Sequence, residues 1–315
     1  MDISIDQRRL LALCAIRVDG RSLDWSLVAR QAQLERGVDG LWSQRLPERS
    51  EAVTAASPLL KEGLADPGPL MERVDAEVEA GTAVGARLVT VLDDDYPANL
   101  RLVPNLPPFL FYRGELAPDD SRSVAVVGSR GASEKGLGRA DRMARLLVAE
   151  GVTVISGLAR GIDTAAHRAA LDAGGRTIAV LGTGITRCYP PENAELAERI
   201  AGHGALVSQF WPTRSPGRDT FPRRNVVTSG ISQGTVVIEA AANSGAKMQA
   251  RLAMQHGKKV FLLPSLVASQ PWARSYIDKG AIEVADVADV LRHLAAPERV
   301  RQAGAQRQQL SLTLL

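Results

Sequence analysis

The residues best suited to chemistry lie in four short segments. Gly128-Ser129-Arg130-Gly131 follows the apolar run SVAVV, and Ser156-Gly157-Leu158-Ala159-Arg160-Gly161-Ile162-Asp163 follows VTVI. Gly182-Thr183-Gly184 follows TIAVL, and Phe221-Pro222-Arg223-Arg224-Asn225 precedes VVTSGIS. Glycine lets a backbone approach an anion, and a helix that starts after such a loop aims free N–H groups at it. Arginine adds a forked donor that matches phosphate. A mononucleotide needs one or two such seats, whereas a row of glycine loops with arginines on one rim suits a strand of nucleic acid. Taken singly, each loop is equally an ordinary strand-to-helix turn. The first is not G-x-G-x-x-G, which disfavours an NAD site. Asp163 suits the N-cap of the helix TAAHRAAL, and His167, four residues on, shares its face, for packing or a local Asp–His contact.

The elements that position these loops alternate. SVAVVG, VTVIS, RTIAVLG, ALVSQF, TVVIEA and KVFLLP read as short buried strands. EKGLGRADRMARLLVAEG, DTAAHRAALDAG, NAELAERIAGHG and SGAKMQARLAMQHG read as helices between them. Such alternation predicts a doubly wound, mostly parallel α/β sheet covered on both faces, with ligands at the carboxyl ends of its strands. RLVTVL and FLFYRG add two strands before it, flanking the proline-rich DDDYPANLRLVPNLPP. Residues 1–80 read as a helical domain, through LLALCAI, WSLVARQAQL and PLMERVDAEVEA. Residues 81–294 form the sheet domain, and 295–315 a polar, flexible tail.

Of the 315 residues 45% are hydrophobic, enough for a large core, and the net charge is only +3. The charge is uneven: WPTRSPGRDTFPRRN (211–225) carries four arginines against Asp219 alone. Two distant cysteines, Cys14 and Cys188, support neither a zinc site nor a disulfide framework, and no cofactor is expected. With no signal peptide and no long apolar run, a cytoplasmic setting is expected.

VAVVGSR, SGLARGIDTAAHRAAL, TIAVLGTGI, YPPEN and FPRRN, in this order, resemble the DprA/Smf (DNA-processing protein A) family, as do DDDYPANL and PPFLFYRGEL. The resemblance implies a Rossmann-like domain behind a small SAM-like helical domain. It also implies single-stranded DNA bound along a basic pocket, a homodimer, and assistance to RecA loading in natural transformation or recombination, without enzymatic activity. Arg130, Arg160 and Arg224 would lie on phosphates, with Gly128, Ser129, Ser156, Gly157 and Gly161 around them. Arg223, Asn225 and Lys247 complete the expected contact set. The chain departs from the family at Gln209, at Ala246-Lys247-Met248-Gln249 and in PSLVASQPWARSYIDKG, and the winged-helix domain of some members has no room at its C-terminus.

Two alternatives stand beside this reading. Gly234-Thr235-Val236-Val237-Ile238-Glu239 resembles the loop of LOG-type phosphoribohydrolases, where Glu239 and Arg224 would cleave an N-glycosidic bond of a nucleoside monophosphate. A nucleotide-sensing or defence module would hold a small nucleotide in the same pocket. In the tail, Gln309-Leu310-Ser311-Leu312-Thr313-Leu314 resembles peptides that dock on the sliding clamp. A C-terminus folded back on its own domain is the plainer reading of those leucines.

Overall fold

A computed structural model describes residues 1–34, 36–46 and 50–313, the last seven as backbone only. Runs of four or five residues, mostly β-branched or small and buried except for Lys259, make the central strands. They are β3 (Ser123–Val127), β4 (Thr153–Ser156), β5 (Thr177–Val180), β6 (Ala205–Ser208), β7 (Gly234–Val237) and β8 (Lys259–Leu262), preceded by β1 (Arg87–Thr90) and β2 (Phe109–Gly114) and followed by β9 (Ile282–Glu283). The sheet order is β1-β2-β6-β5-β4-β3-β7-β8-β9; β1 with β2 and β2 with β6 are antiparallel and every other pair is parallel. The chain winds outward from β3 to β6, then returns to the other side of β3 for β7. That reversal opens a crevice at the carboxyl ends of β3, β4 and β7.

Side chains alternate across the strands, so each face has its own core. Val124 and Val126 pack with Ala140, Met143, Ala166 and Phe261 beneath α6 (Glu134–Ala149) and α7 (Ile162–Asp172). Ala125 and Val127 belong to the opposite core, with residues of α9 (Thr220–Ile231) and α10 (Gly245–Gln255). α8 (Ala194–His203) leads into β6. Ser133 caps α6, its hydroxyl accepting from the Gly136 N–H at 3.0 Å.

The N-terminal region holds α1 (Ile5–Ala15), α2 (Trp25–Ala32), α3 (Gly37–Trp42), α4 (Glu51–Gly63) and α5 (Gly68–Ala83). Sequence periodicity shows α1, α2 and α5. It passes over α4, whose Pro58 lies inside the helix. These helices share one continuous core with the sheet: Leu10, Leu27 and Val74 join Phe109, Phe111 and Val207. After β8 come α11 (Pro264–Ser269), α12 (Pro271–Ile277) and α13 (Val287–Leu291).

One helix goes unread in the sequence and one expectation changes. Phe221–Asn225, given no element by the sequence, make the first turns of α9, where proline is tolerated because early N–H groups lack intrahelical partners. The expected flexible tail forms α14 (Pro297–Thr313), stapled at its entry by Gln233, whose amide bonds both Ala295 N (2.6 Å) and Ala295 O (2.9 Å). The side chains of the clamp-like peptide Gln309–Leu314 lie outside the described residues.

One buried histidine ties a strand to a loop. His167 on α7 is fully buried, with Nε2 2.6 Å from the Gly157 carbonyl and Nδ1 2.7 Å from Thr177 Oγ1. A carbonyl only accepts, so Nε2 carries the ring proton. No contact to Asp163 is made. Burial pushes the His167 pKa from 6.5 down to about 4, and that of His256 likewise to about 4. Below pH 6.5 the unfolded chain therefore takes up protons that the folded chain refuses. Stability is expected to fall as pH drops from about 6.5 towards 4, by about 1.4 kcal/mol per unit for His167. Thermal melts across this window check it: wild type should lose Tm steeply and His167→Gln less so. A wild-type melt flat across the window would contradict the assignment.

Candidate nucleic-acid interface

The β3–α6 and β4–α7 loops are folded onto each other at the crevice. The Ile162 N–H donates to the Ser129 carbonyl (3.2 Å). Gly161 has φ +76°, and a Cβ there would lie 2.3 Å from Ser129 O and 2.5 Å from Arg130 O. Only glycine meets both the left-handed backbone and the close approach. The helix that follows starts from Gly161, so Asp163 is not its N-cap. Asp163 is buried within the first turn, where Oδ2 accepts a long hydrogen bond from the Ala159 N–H (3.4 Å). Asn193 holds the same loop from outside, its Nδ2 donating to Leu158 O and Thr164 Oγ1, both at 2.9 Å.

One residue after β7 takes up the donors of the first loop. The Glu239 carbonyl accepts from Ser129 N–H (2.7 Å) and Ser129 Oγ (3.2 Å). Its carboxylate accepts from Ser133 N–H (3.1 Å) and Ser133 Oγ (2.6 Å). The positive end of α6 thus already holds an anion, a carboxylate of the protein itself.

Arg224 forms the floor of the cleft rather than its rim. The half-buried guanidinium donates from Nη1 to Val180 O (2.7 Å) and from Nε to Asn225 Oδ1 (3.3 Å). It passes directly over Gly157, where a Cβ would sit 2.1 Å from Nη1 and 2.4 Å from Asp163 Oδ2. Burial pulls the Arg224 pKa down, while the Asp163 charge opposes this and Arg130 adds to it. Burial pushes the Asp163 carboxyl up, against the pull of Arg224. The pair supports a cation on the floor, with Arg130 exposed above it.

The Arg130 guanidinium lies 5.3 Å from the centre of the Phe221 ring, and Tyr189, 42% exposed, stands 5.6 Å from Phe221. These side chains line a small pocket beside a main cleft of about 520 Å³. Gly128, Ser129, Arg130, Gly157, Arg224 and Asn225 all line the main cleft.

The other expected contacts lie elsewhere. Ser156 is fully buried and its hydroxyl donates to Val126 O (2.6 Å). Arg160 borders the small pocket but is ion-paired with Glu192. In the third glycine loop, the Gly184 N–H donates to Arg214 O (2.8 Å). Arg223 points to the other flank of α9, 5.2 Å from the Trp25 ring and 5.5 Å from Phe210. The Lys247 ammonium sits 5.9 Å from the Trp272 ring, and Lys247 is not among the cleft-lining residues. Sequence reading missed the aromatic pair and the exposed Met248 on the far wall. Phe221 was within reach: once Pro222 is taken as a first-turn proline, helical spacing sets Phe221 and Arg224 on one face.

With Glu239 at Ser133 and Arg224 on the Val180 carbonyl, the pair is not poised as in an N-glycosidic hydrolase. The comparisons agree with a different family. The model for DNA recombination-mediator protein A matches residues 87–295. Protein Smf of Synechocystis is 40% identical over 183 residues, which are 57% of this chain and 46% of that protein, so the match spans about half of that relative. The X-ray structure of DNA processing protein A from Streptococcus pneumoniae superposes with a TM-score of 0.71 at 30% identity, covering 94% of this chain and 99% of that one. A structure of the Helicobacter pylori protein, described for its single-stranded-DNA-binding mode, shares the fold with a TM-score of 0.59 at 23% identity, over 66% of this chain and 94% of that one. The chain belongs to the DNA recombination-mediator protein A family.

Proposed function

We propose that the cleft binds single-stranded DNA with little sequence preference, in the processing of DNA for transformation or recombination. The observation that carries this reading is the stack of Arg130 on Phe221 above the Arg224 floor. It offers cations to phosphates and an aromatic face to bases, and aromatic faces accept every base. The α6 terminus, the usual seat of a mononucleotide phosphate in such folds, is filled by Glu239. That favours a strand held along its length over a small nucleotide held by one end. The DNA-binding mode described for the H. pylori protein supports the same reading. A homodimer, a partnership with RecA and a cytoplasmic setting extend it through family likeness, as does a phosphate role for Gly128, Gly157 and Asn225, which line the cleft. Among the described residues no helix is long and apolar enough to cross a membrane.

The test is an anisotropy titration with single-stranded DNA, duplex DNA and AMP across a range of salt. Single strands are expected to bind best, with log K falling against log salt by about 0.7 per phosphate contact. A preference for duplex, an affinity independent of salt, or AMP binding as tight as an oligonucleotide would overturn the reading.

Phe221→Ala is expected to weaken binding by about 1–3 kcal/mol, as for a lost stacking platform, with the salt slope little changed. Arg130→Ala should instead flatten the slope by about one contact and leave Tm near wild type, since that side chain is exposed. Arg224→Ala should do both kinds of damage, losing DNA affinity and lowering Tm, because it leaves the Val180 carbonyl and the buried Asp163 without their cation. An Arg224→Ala protein as stable as wild type would show that the floor contact is dispensable.

A further inference from the structure

A second cavity, of about 350 Å³, opens where the N-terminal helices meet the sheet. Arg17, Trp25, Asn105, Gln209, Arg223 and Val226 are among its walls. α9 borders both this cavity and the DNA cleft: Pro222, Asn225 and Thr228 line the cleft, whereas Arg223 and Val226 line the joint. Neighbouring arginines on one helix thus serve opposite flanks, Arg224 the cleft and Arg223 the joint. A helix with its side chains is about 10–12 Å across, a distance that a few nucleotides bridge.

The joint carries more positive charge than its carboxylates balance. Arg17 and Arg223 make no ion pair within 4.0 Å among the described residues. Arg17 donates only to the Ile16 carbonyl (3.3 Å), and Arg73 to the Ala15 carbonyl (3.3 Å). Arg214 is paired with Asp219 at 2.8 Å, and the Asp24 carboxylate caps α2 through the Ser26 N–H at 2.8 Å. Partial burial lowers the Arg17 pKa, and Arg73 and Arg214 lower it further. Partial burial also lowers that of Arg223; Asp219 opposes this, while Arg214 and Arg17 add to it. The Trp25 and Phe210 rings hold the Arg223 guanidinium in place while leaving it accessible to solvent. Like charges gathered this way repel one another, and a bound anion would relieve them.

We propose that this joint is a second phosphate seat, which takes the DNA strand as it leaves the cleft over the first turns of α9. Arg17 and Arg223 are its ligands, so the N-terminal helices contribute directly to DNA binding. The proposal rests on the cleft binding single-stranded DNA, and it adds a length dependence that the cleft alone does not require. A strand confined to the cleft would not feel Arg17, whereas a longer one would.

Labelled oligothymidylates of about 6 and about 20 nucleotides separate the two sites. Arg17→Glu is expected to weaken the longer strand roughly tenfold at low salt and to remove about one contact from its salt slope. The shorter strand should bind as to wild type. Arg224→Ala should weaken both lengths. Arg17 is exposed and bonds only its neighbour's carbonyl, so Arg17→Glu should melt like wild type. Arg223→Met, which keeps the stem on the rings, gives a second reading of the same seat. Unchanged affinity of both variants for the longer strand would overturn the joint seat, as would equal losses at both lengths. If wild type fails to bind the shorter strand, the cleft reading falls, while the response of the longer strand to Arg17→Glu still decides the joint.

Discussion

The passage of the Arg224 guanidinium over Gly157 is the constraint on which the rest of the cleft depends. An arginine can lie on the floor only where the loop beneath has no side chain, because a Cβ at Gly157 would sit 2.1 Å from Nη1. With Arg224 in place, a carboxylate below it becomes tolerable, and Asp163 is buried there. The Val180 carbonyl gains a donor, the Gly157 carbonyl is held from behind by His167, and Gly161 brings the neighbouring loop within contact. Removing Arg224 or His167 leaves a carbonyl without its side-chain partner, which costs more than the bond contributes when made.

The fold by itself offers a phosphate site at the first strand–helix turn, as doubly wound sheets do. Here Glu239 closes that site from within, its carboxylate on Ser133 and its carbonyl on Ser129. Cationic character is moved outward and sideways, to Arg130 above Phe221 and to Arg223 beyond α9. A ligand that follows such a layout must be extended and repeatedly charged. The layout of the cleft therefore differs from an open phosphate site at the first strand–helix turn, although the strand order alone would not distinguish the two.

The N-terminal helices are joined to the sheet by a shared apolar layer. Phe109 on β2 stands 5.0 Å from Trp25, 5.7 Å from Phe111 and 5.2 Å from Trp211. Burial of this cluster fixes α2 beside the start of α9, which is what brings Arg17 and Arg223 to one cavity.

Local rules were enough to read the strands and the helices between them in the sheet domain, because short Val/Ile-rich runs and 3.6-residue periods are signalled within a few residues. They also marked the glycine loops and Arg130, since a doubly wound sheet has one edge where ligands bind. Side-chain direction was beyond them. Arg223 and Arg224 are neighbours with the same chemistry, and the turn of α9 sends one to the joint and the other to the floor. Ser156 and Ser129 look like phosphate ligands, but partners distant in the chain, Val126 and Glu239, already hold their hydroxyls. Asp163 has the residue type of a helix cap, yet α7 begins two residues too early for it, with Gly161 at the cap. For the two serines the deciding contact crosses dozens of residues in the chain, and only the packed sheet brings its two ends together.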